Sequence, residues 1–261
     1  MNAKLVIAER IPYDAQKKLM PLFKTRIDKL SSSLDVSVQL GVTKDNFVSA
    51  EVQGADSEFL IELIKRKMQL APRDLSEIEV NDNLKAFVSG INKQRQSVEV
   101  EIGPIPTGVK CEVARDALIA QLCDGIDTPV ERAAQSYCLD EGVPILIRIT
   151  SLNPGRRHIE AWISDDQIAR FEQWRRERFH RIIAVGGSQE ELREAIRLSR
   201  IERDIIEIEE LSFTASSLVC KLGTEAPGII ALIGRHISNF KLHAFLPERI
   251  DKLRTQFADR Q

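Results

Sequence analysis

The 261-residue chain lacks the features that mark most metal sites, disulfide scaffolds and membrane proteins. Its four cysteines form no C-x-x-C pair, and they are too few for a disulfide framework. Its four histidines form no H-x-x-x-H motif. No apolar run approaches the roughly 20 residues that cross a bilayer, and the N-terminus has no signal-peptide pattern. We therefore expect a cytoplasmic protein with reduced thiols, no metal, no cofactor and no membrane contact.

Enzyme motifs are also missing. The chain has no G-x-G-x-x-G, no phosphate-binding loop with its lysine and no G-x-S-x-G. Gly186 and Gly187 lie between a predicted strand and helix, but without the spacing that a nucleotide site needs. No pattern sets a nucleophile beside a base. An enzyme of unknown class is therefore the third of our functional hypotheses, and we favour a non-catalytic function.

Hydrophobic periodicity divides the chain into three predicted domains, which cover residues 1–77, 78–168 and 169–261. The first has the order strand, helix, strand, strand, helix, and the third adds a last strand to the same order. Both orders are typical of ferredoxin-like units. We expect Ile230 and Ile233 in the core of the third domain. The sequence leaves open whether the two units arose by duplication or only share an architecture.

The middle domain has a different pattern. Residues 98–103 alternate strictly, so that Val98, Val100 and Ile102 are expected on one face of a strand, and Glu99 and Glu101 on the other. Three strands precede a helical insertion over about 115–140, and two strands follow it. This order fits a small five-stranded barrel. The predicted fold class is α+β, with two ferredoxin-like units flanking the barrel.

The middle domain resembles the S1 type of oligonucleotide-binding barrel. The resemblance rests on D-x-L-x-A-F-V-x-G over 82–90, V-E-V-E-I-G over 98–103, E-G-x-P-I-x-I over 141–147 and I-E-A-W-I-S over 159–164. It implies RNA binding, in which bases stack on aromatic rings beside basic residues. On the first strands Phe87 is the candidate ring.

The whole chain also resembles an archaeal family of conserved proteins of unknown function. The resemblance rests on the stretch S-L-V-C-K-L-G-x-x-A-P-G-I-I over 217–230. It implies no activity.

Basic residues are unevenly distributed. Residues 1–147 contain 18 basic and 22 acidic side chains, whereas residues 148–261 contain 19 basic and 17 acidic ones. Arginine forks suit phosphate groups, and their planes stack on bases. The candidate nucleic-acid-binding residues are Arg156, Arg157, Arg170, Arg175, Arg176 and Arg178, with the rings of Trp174 and Phe87. The alternative is a solvated connecting helix whose aromatic residues pack against neighbouring domains.

The favoured function is binding of RNA or a ribonucleoprotein, in translation or RNA processing. The leading rival is a protein–protein interaction scaffold, with a protein partner or a second copy of the chain. The two differ in what the purified protein carries, since bound nucleic acid is released by salt.

Overall fold

The computed structural model describes residues 2–106 and 108–255. The N-terminal unit is a three-stranded antiparallel sheet with the order β1-β3-β2. Its elements are β1 (Asn2–Arg10), α1 (Gln16–Ser31), β2 (Val36–Val42), β3 (Phe47–Gly54) and α2 (Ser57–Met68). The apolar stripes of α1 and α2 pack on this sheet through Leu19, Phe23, Ile27, Leu60 and Ile64, which are all buried.

The middle unit is a closed five-stranded barrel with the order β4-β5-β6-β8-β7. Its elements are β4 (Asn83–Asn92), β5 (Ser97–Glu101), β6 (Lys110–Ala114), α3 (Arg115–Leu122), α4 (Val130–Ser136), β7 (Pro144–Asn153) and β8 (His158–Ile163). Val98, Val100 and Ile102 are buried inside the barrel, whereas Glu99 and Glu101 point outward. The predicted barrel and its alternation are confirmed.

The C-terminal unit is a four-stranded antiparallel sheet with the order β10-β11-β9-β12. A connecting helix precedes it and another follows it. Its elements are α5 (Asp165–Glu177), β9 (Arg181–Val185), α6 (Gln189–Leu198), β10 (Ile205–Ser212), β11 (Ala215–Cys220), α7 (Ala226–Ile233), β12 (Lys241–Phe245) and α8 (Pro247–Thr255). The mixed α+β fold class, with the barrel between two helix-bearing sheets, is confirmed.

The hairpin of β10 and β11 is longer than the sequence predicts. The pattern indicates a polar loop around Glu209 and Glu210, but both residues lie within β10. Their carboxylates are paired with arginines, Glu209 with Arg181 at 2.8 Å and Glu210 with Arg26 at 2.6 Å. These ion pairs let the strand continue through an acidic stretch.

The hydrophobic pattern predicts no helix after β12, because Pro247 is also typical of the end of a strand. Proline has no N–H to donate and its φ is already helical, so it also suits the first turn of a helix. In the structure Pro247 begins α8. Ile250 and Leu253 of this helix are buried in the same apolar cluster as Phe171 and Trp174 of α5.

The three units meet around Glu9 near the end of β1. This residue is 2% exposed. One carboxylate oxygen accepts a hydrogen bond from Lys85 Nζ on the barrel at 2.6 Å, and the other accepts one from the backbone N–H of Phe213 in the C-terminal unit at 2.9 Å. A single buried side chain thus contacts all three units.

The burial of α7 leads to a stability prediction. Ile233 is fully buried, whereas Ile230, expected in the core, is only half-buried. We expect Ile233→Ala to lower the free energy of unfolding by about 2–5 kcal/mol, because it leaves a cavity. Leu232→Ala on the exposed side of α7 is the control and should cost less than about 1 kcal/mol. Urea unfolding measures both, and equal losses would contradict this packing of α7.

Candidate nucleic-acid interface

The outward surface of the barrel is only partly available to a ligand. Phe87 on β4 points away from the barrel interior, as a base-stacking residue must. However, it is 1% exposed, because Val6, Ala8 and Phe47 of the N-terminal unit cover it. Its ring lies 5.9 Å from that of Phe47. The expectation that Phe87 offers a face to a base is therefore corrected: the N-terminal unit occupies that place.

Trp162 on β8 offers the exposed ring that Phe87 does not. It is 42% exposed, and it alternates with the buried Ala161 and Ile163. Arg148 on β7 lies directly opposite it in the sheet register. Arg148 also contacts the exposed carboxylate of Asp165 at 3.3 Å, and an exposed pair of this kind is weak. An aromatic face and a guanidinium thus lie side by side on the barrel surface.

The sequence contained the signal for Trp162. Because side chains alternate along a strand, Ile159, Ala161 and Ile163 in the barrel interior require Trp162 to point outward. The alternation that predicts the strand therefore also assigns Trp162 to its outer face.

The outward surface of β5 and β6 is acidic. Glu112 accepts hydrogen bonds from Ser97 Oγ at 2.7 Å, and its other oxygen lies 2.7 Å from His158 Nε2. Burial raises the pKa of Glu112, but these hydrogen bonds and the charge of Arg95 outweigh it and hold the pKa below its usual value. A hydrogen bond from Asn92 likewise lowers the pKa of neighbouring Glu99. Both carboxylates are therefore charged at neutral pH, and each is paired with a cation, Glu112 with Arg95 at 3.4 Å and Glu99 with Lys110 at 3.2 Å.

Arg156 and Arg157 lie at the tip of the hairpin between β7 and β8, as predicted, and both are exposed. The side chain of Asn153 shapes the tip by accepting a hydrogen bond from the Arg156 N–H at 3.0 Å. Arg157 adopts a left-handed conformation, and its carbonyl accepts a hydrogen bond from the Lys110 N–H. The tip is separated from Trp162 by the length of β8, about 17 Å.

The arginines at the end of α5 hold α8 in place. Arg175 binds Glu172 at 3.0 Å and Asp251 of α8 at 3.0 Å. Arg178 binds the other carboxylate oxygen of Asp251. Burial raises the pKa of Asp251, but the hydrogen bonds from both arginines outweigh it and lower the pKa. Two of the six candidate arginines are thus neutralised within the fold.

Trp174 lies beside these ion pairs, where α5 packs against the C-terminal sheet. It is 4% exposed, its ring lies under the guanidinium of Arg181 at 4.7 Å, and it packs edge-on against Phe245 at 5.2 Å. The expectation that Trp174 stacks on a base is corrected, because its ring faces are covered. The alternative, that the aromatic residues of this helix pack against a neighbouring unit, describes Trp174 correctly.

The remaining two candidate arginines, Arg170 and Arg176, lie on different sides of α5. Arg176 is exposed and donates a hydrogen bond to the backbone carbonyl of Glu172 at 3.2 Å, so it binds no carboxylate among the described residues. Arg170 is half-buried and faces a groove toward α2. The structure brings neither next to the hairpin tip.

A separate cavity of about 340 Å³ opens where the three units meet, with Arg10 and Lys241 in its lining. Arg10 is paired with Glu101 and Lys241 with Glu141, each at 2.7 Å. The pair of Arg10 is partly buried, whereas the pair of Lys241 is exposed and therefore weak.

Two further kinds of feature are absent from residues 2–106 and 108–255. No group of three or more His, Cys, Asp or Glu side chains in these ranges is placed to hold a metal ion. None of the helices in these ranges combines the length and the apolar character that a membrane span requires.

The ion pairs of α5 separate two neighbouring arginines that the sequence treats as equivalent. We expect Arg175→Ala to lower the free energy of unfolding by about 1 kcal/mol at neutral pH, since it removes contacts to Glu172 and Asp251. Arg176→Ala is the matched control and should change it by less than about 0.5 kcal/mol. The difference should disappear on acidification, because the depressed pKa of Asp251 makes the pair's stabilisation fall as that carboxylate is protonated. Urea unfolding at two pH values measures this difference. Equal losses of unfolding free energy for the two variants at neutral pH would contradict the ion pairs between α5 and α8.

Comparisons with solved structures give distant similarities. An uncharacterized protein from Methanocaldococcus jannaschii is 16% identical, with a TM-score of 0.23, over 34% of this chain and 95% of that one. A chain from an a/eIF2alpha–aDim2p–rRNA complex of Pyrococcus horikoshii OT3 is 15% identical, with a TM-score of 0.26, over 47% of this chain and 64% of that one. At these TM-scores neither similarity indicates what this chain binds.

Sequence comparison gives a clearer result. No curated protein matches the chain. Two models of one family do match it, the DUF2110 N-terminal domain over residues 4–74 and the DUF2110 C-terminal domain over residues 179–244. The first match contains the N-terminal sheet with its two helices, the second contains the C-terminal sheet, and the barrel lies between them. The chain belongs to the DUF2110 family.

Proposed function

We propose that the protein binds RNA on the outward surface of β7 and β8, with a base stacked on Trp162. The observation that carries the proposal is the exposed indole ring on the barrel surface with Arg148 opposite it. Aromatic rings stack on any unpaired base, and a neighbouring guanidinium adds a cation–π or phosphate contact. The role is non-catalytic, in translation or RNA processing.

The surrounding charges support one direction for the RNA. From Trp162 toward β6 and β5 a strand of RNA would meet carboxylates that already take up the neighbouring cations, since Glu112 is buried and paired with Arg95 and Glu99 is paired with Lys110. From Trp162 toward β7 it meets Arg148 instead. We therefore propose that the RNA runs across β7. Arg156 and Arg157 remain proposed phosphate contacts for a separate stretch at the hairpin tip, whereas the proposal leaves out Arg175 and Arg178, which are paired with Asp251 and, for Arg175, also with Glu172.

The test is binding of a fluorescent single-stranded oligouridine to the full chain. Trp162→Ala should weaken binding by about 1–3 kcal/mol, which is roughly 5- to 150-fold in Kd, since one stacked base is lost. Trp162→Phe, which keeps an aromatic face, is the matched control and should retain most of the affinity. Thermal melts should agree among the three proteins, because the ring is exposed.

Two results would count against RNA binding at this surface. If wild type and Trp162→Ala bind oligouridine equally, Trp162 is not part of the site. If wild type binds no RNA at low salt, the scaffold hypothesis replaces this one.

A further inference from the structure

A groove outside the barrel is lined by cationic side chains from three parts of the chain. It has a volume of about 200 Å³ and lies where the end of α2, strand β4, the start of β7, α5 and β10 meet. Its lining contains four cationic side chains, which are Arg66, Lys67, Lys85 and Arg170. None of the described lining residues is a carboxylate. The groove is therefore a concave, positively charged surface, and such a surface concentrates anions.

Three of the four cations are not neutralised by the fold. In the part of the chain that the structure describes, Arg66, Lys67 and Arg170 form no ion pair. Arg66 and Lys67 are exposed on the last turn of α2, and Arg170 is half-buried on α5. They differ in this from Arg175 and Arg178, whose charges are used to hold α8.

Lys85 has a structural part in the groove. Its ammonium is bound to the buried Glu9 at 2.6 Å, so its charge is neutralised. Its position is thereby fixed, and the N-terminal unit that carries Arg66 and Lys67 is held against the barrel. The positive charge of the groove belongs to the other three residues.

The helix dipole alone does not explain this cluster of cationic side chains. Basic residues in a last turn stabilise the negative end of a helix dipole, which accounts for Arg66 and Lys67 on α2. It does not account for Arg170, which comes from the middle of α5 and faces the same groove. Convergence of cations from two helices on one concave surface points to an anionic ligand.

We propose that this groove holds the phosphate backbone of the RNA whose base stacks on Trp162, an inference that rests on the proposed function. Lys85 lies opposite Leu146, and two residues further along β7 Arg148 lies opposite Trp162. All of these side chains point away from the barrel interior. Two residues along a strand and two strands across correspond to about 12 Å between Lys85 and Trp162. The RNA thus passes from the barrel onto the N-terminal unit.

The experiment compares two charge-reversal variants of the full chain that change the net charge equally. The groove variant is Arg66→Glu with Arg170→Glu. The matched control is Arg193→Glu with Arg203→Glu, two exposed arginines of the C-terminal unit that also form no ion pair among the described residues. Oligouridine affinity is measured for both and for wild type over a series of salt concentrations.

The groove variant should bind more weakly than the control at every salt concentration. The slope of log affinity against log salt should be shallower by about 1.4, since each lost single-strand phosphate contact removes roughly 0.7. Thermal melts of the control should match wild type and those of the groove variant should fall only slightly below it, because the reversed side chains form no ion pair among the described residues and Arg66 loses only its interaction with the α2 dipole. If the groove variant unfolds, Arg66→Gln with Arg170→Gln should replace it. These substitutions should also weaken binding and make the salt slope shallower, but by less.

The outcomes separate this inference from the function on which it rests. If wild type binds oligouridine, Trp162→Ala weakens the binding and the groove variant equals the control in affinity and slope, the groove is not a backbone site while RNA binding stands. If wild type binds no RNA, both proposals fall together.

Discussion

The buried carboxylate of Glu9 is the contact on which the arrangement of the three units depends. Burial holds its pKa above the usual value, and the ammonium of Lys85 and the N–H of Phe213 offset only part of that rise. Removing one partner of such a buried pair leaves an uncompensated charge, which costs about 3–5 kcal/mol. Because Lys85 belongs to the barrel and Phe213 to the C-terminal unit, the N-terminal unit satisfies Glu9 only in the observed position.

That position determines which barrel surface is left for a ligand. The N-terminal unit covers the outward side of β4, so that Phe87 becomes part of an apolar contact with Phe47. The outward side of β5 and β6 carries charged carboxylates. The surface that remains lies on β7 and β8, and it continues into the groove beside α2. The proposed RNA surface is therefore a consequence of how the units are joined, and the barrel alone does not define it.

Local patterns in the sequence predict the elements and much of the fold, because period 2 and period 3.6 are fixed by backbone geometry. They also predict that Trp162 points outward, because its neighbours along the strand are buried. They do not predict that Phe87 is covered, since Phe47, which covers it, is 40 residues away in the chain. The same reason applies to Arg175, whose partner Asp251 lies 76 residues away on a helix that the pattern did not reveal. Charge patterns fail where long-range ion pairs neutralise the charges.

Photo-crosslinking of the full chain to oligouridine that contains 4-thiouridine tests the proposed surface most directly, because each crosslinked peptide reports a contact without any substitution. We expect the crosslinks to fall on peptides that contain Trp162 and on peptides that line the groove, near Lys67 and Arg170. Crosslinks concentrated on β5 and β6, around Glu99 and Glu112, or on the C-terminal sheet, would contradict the proposed path of the RNA.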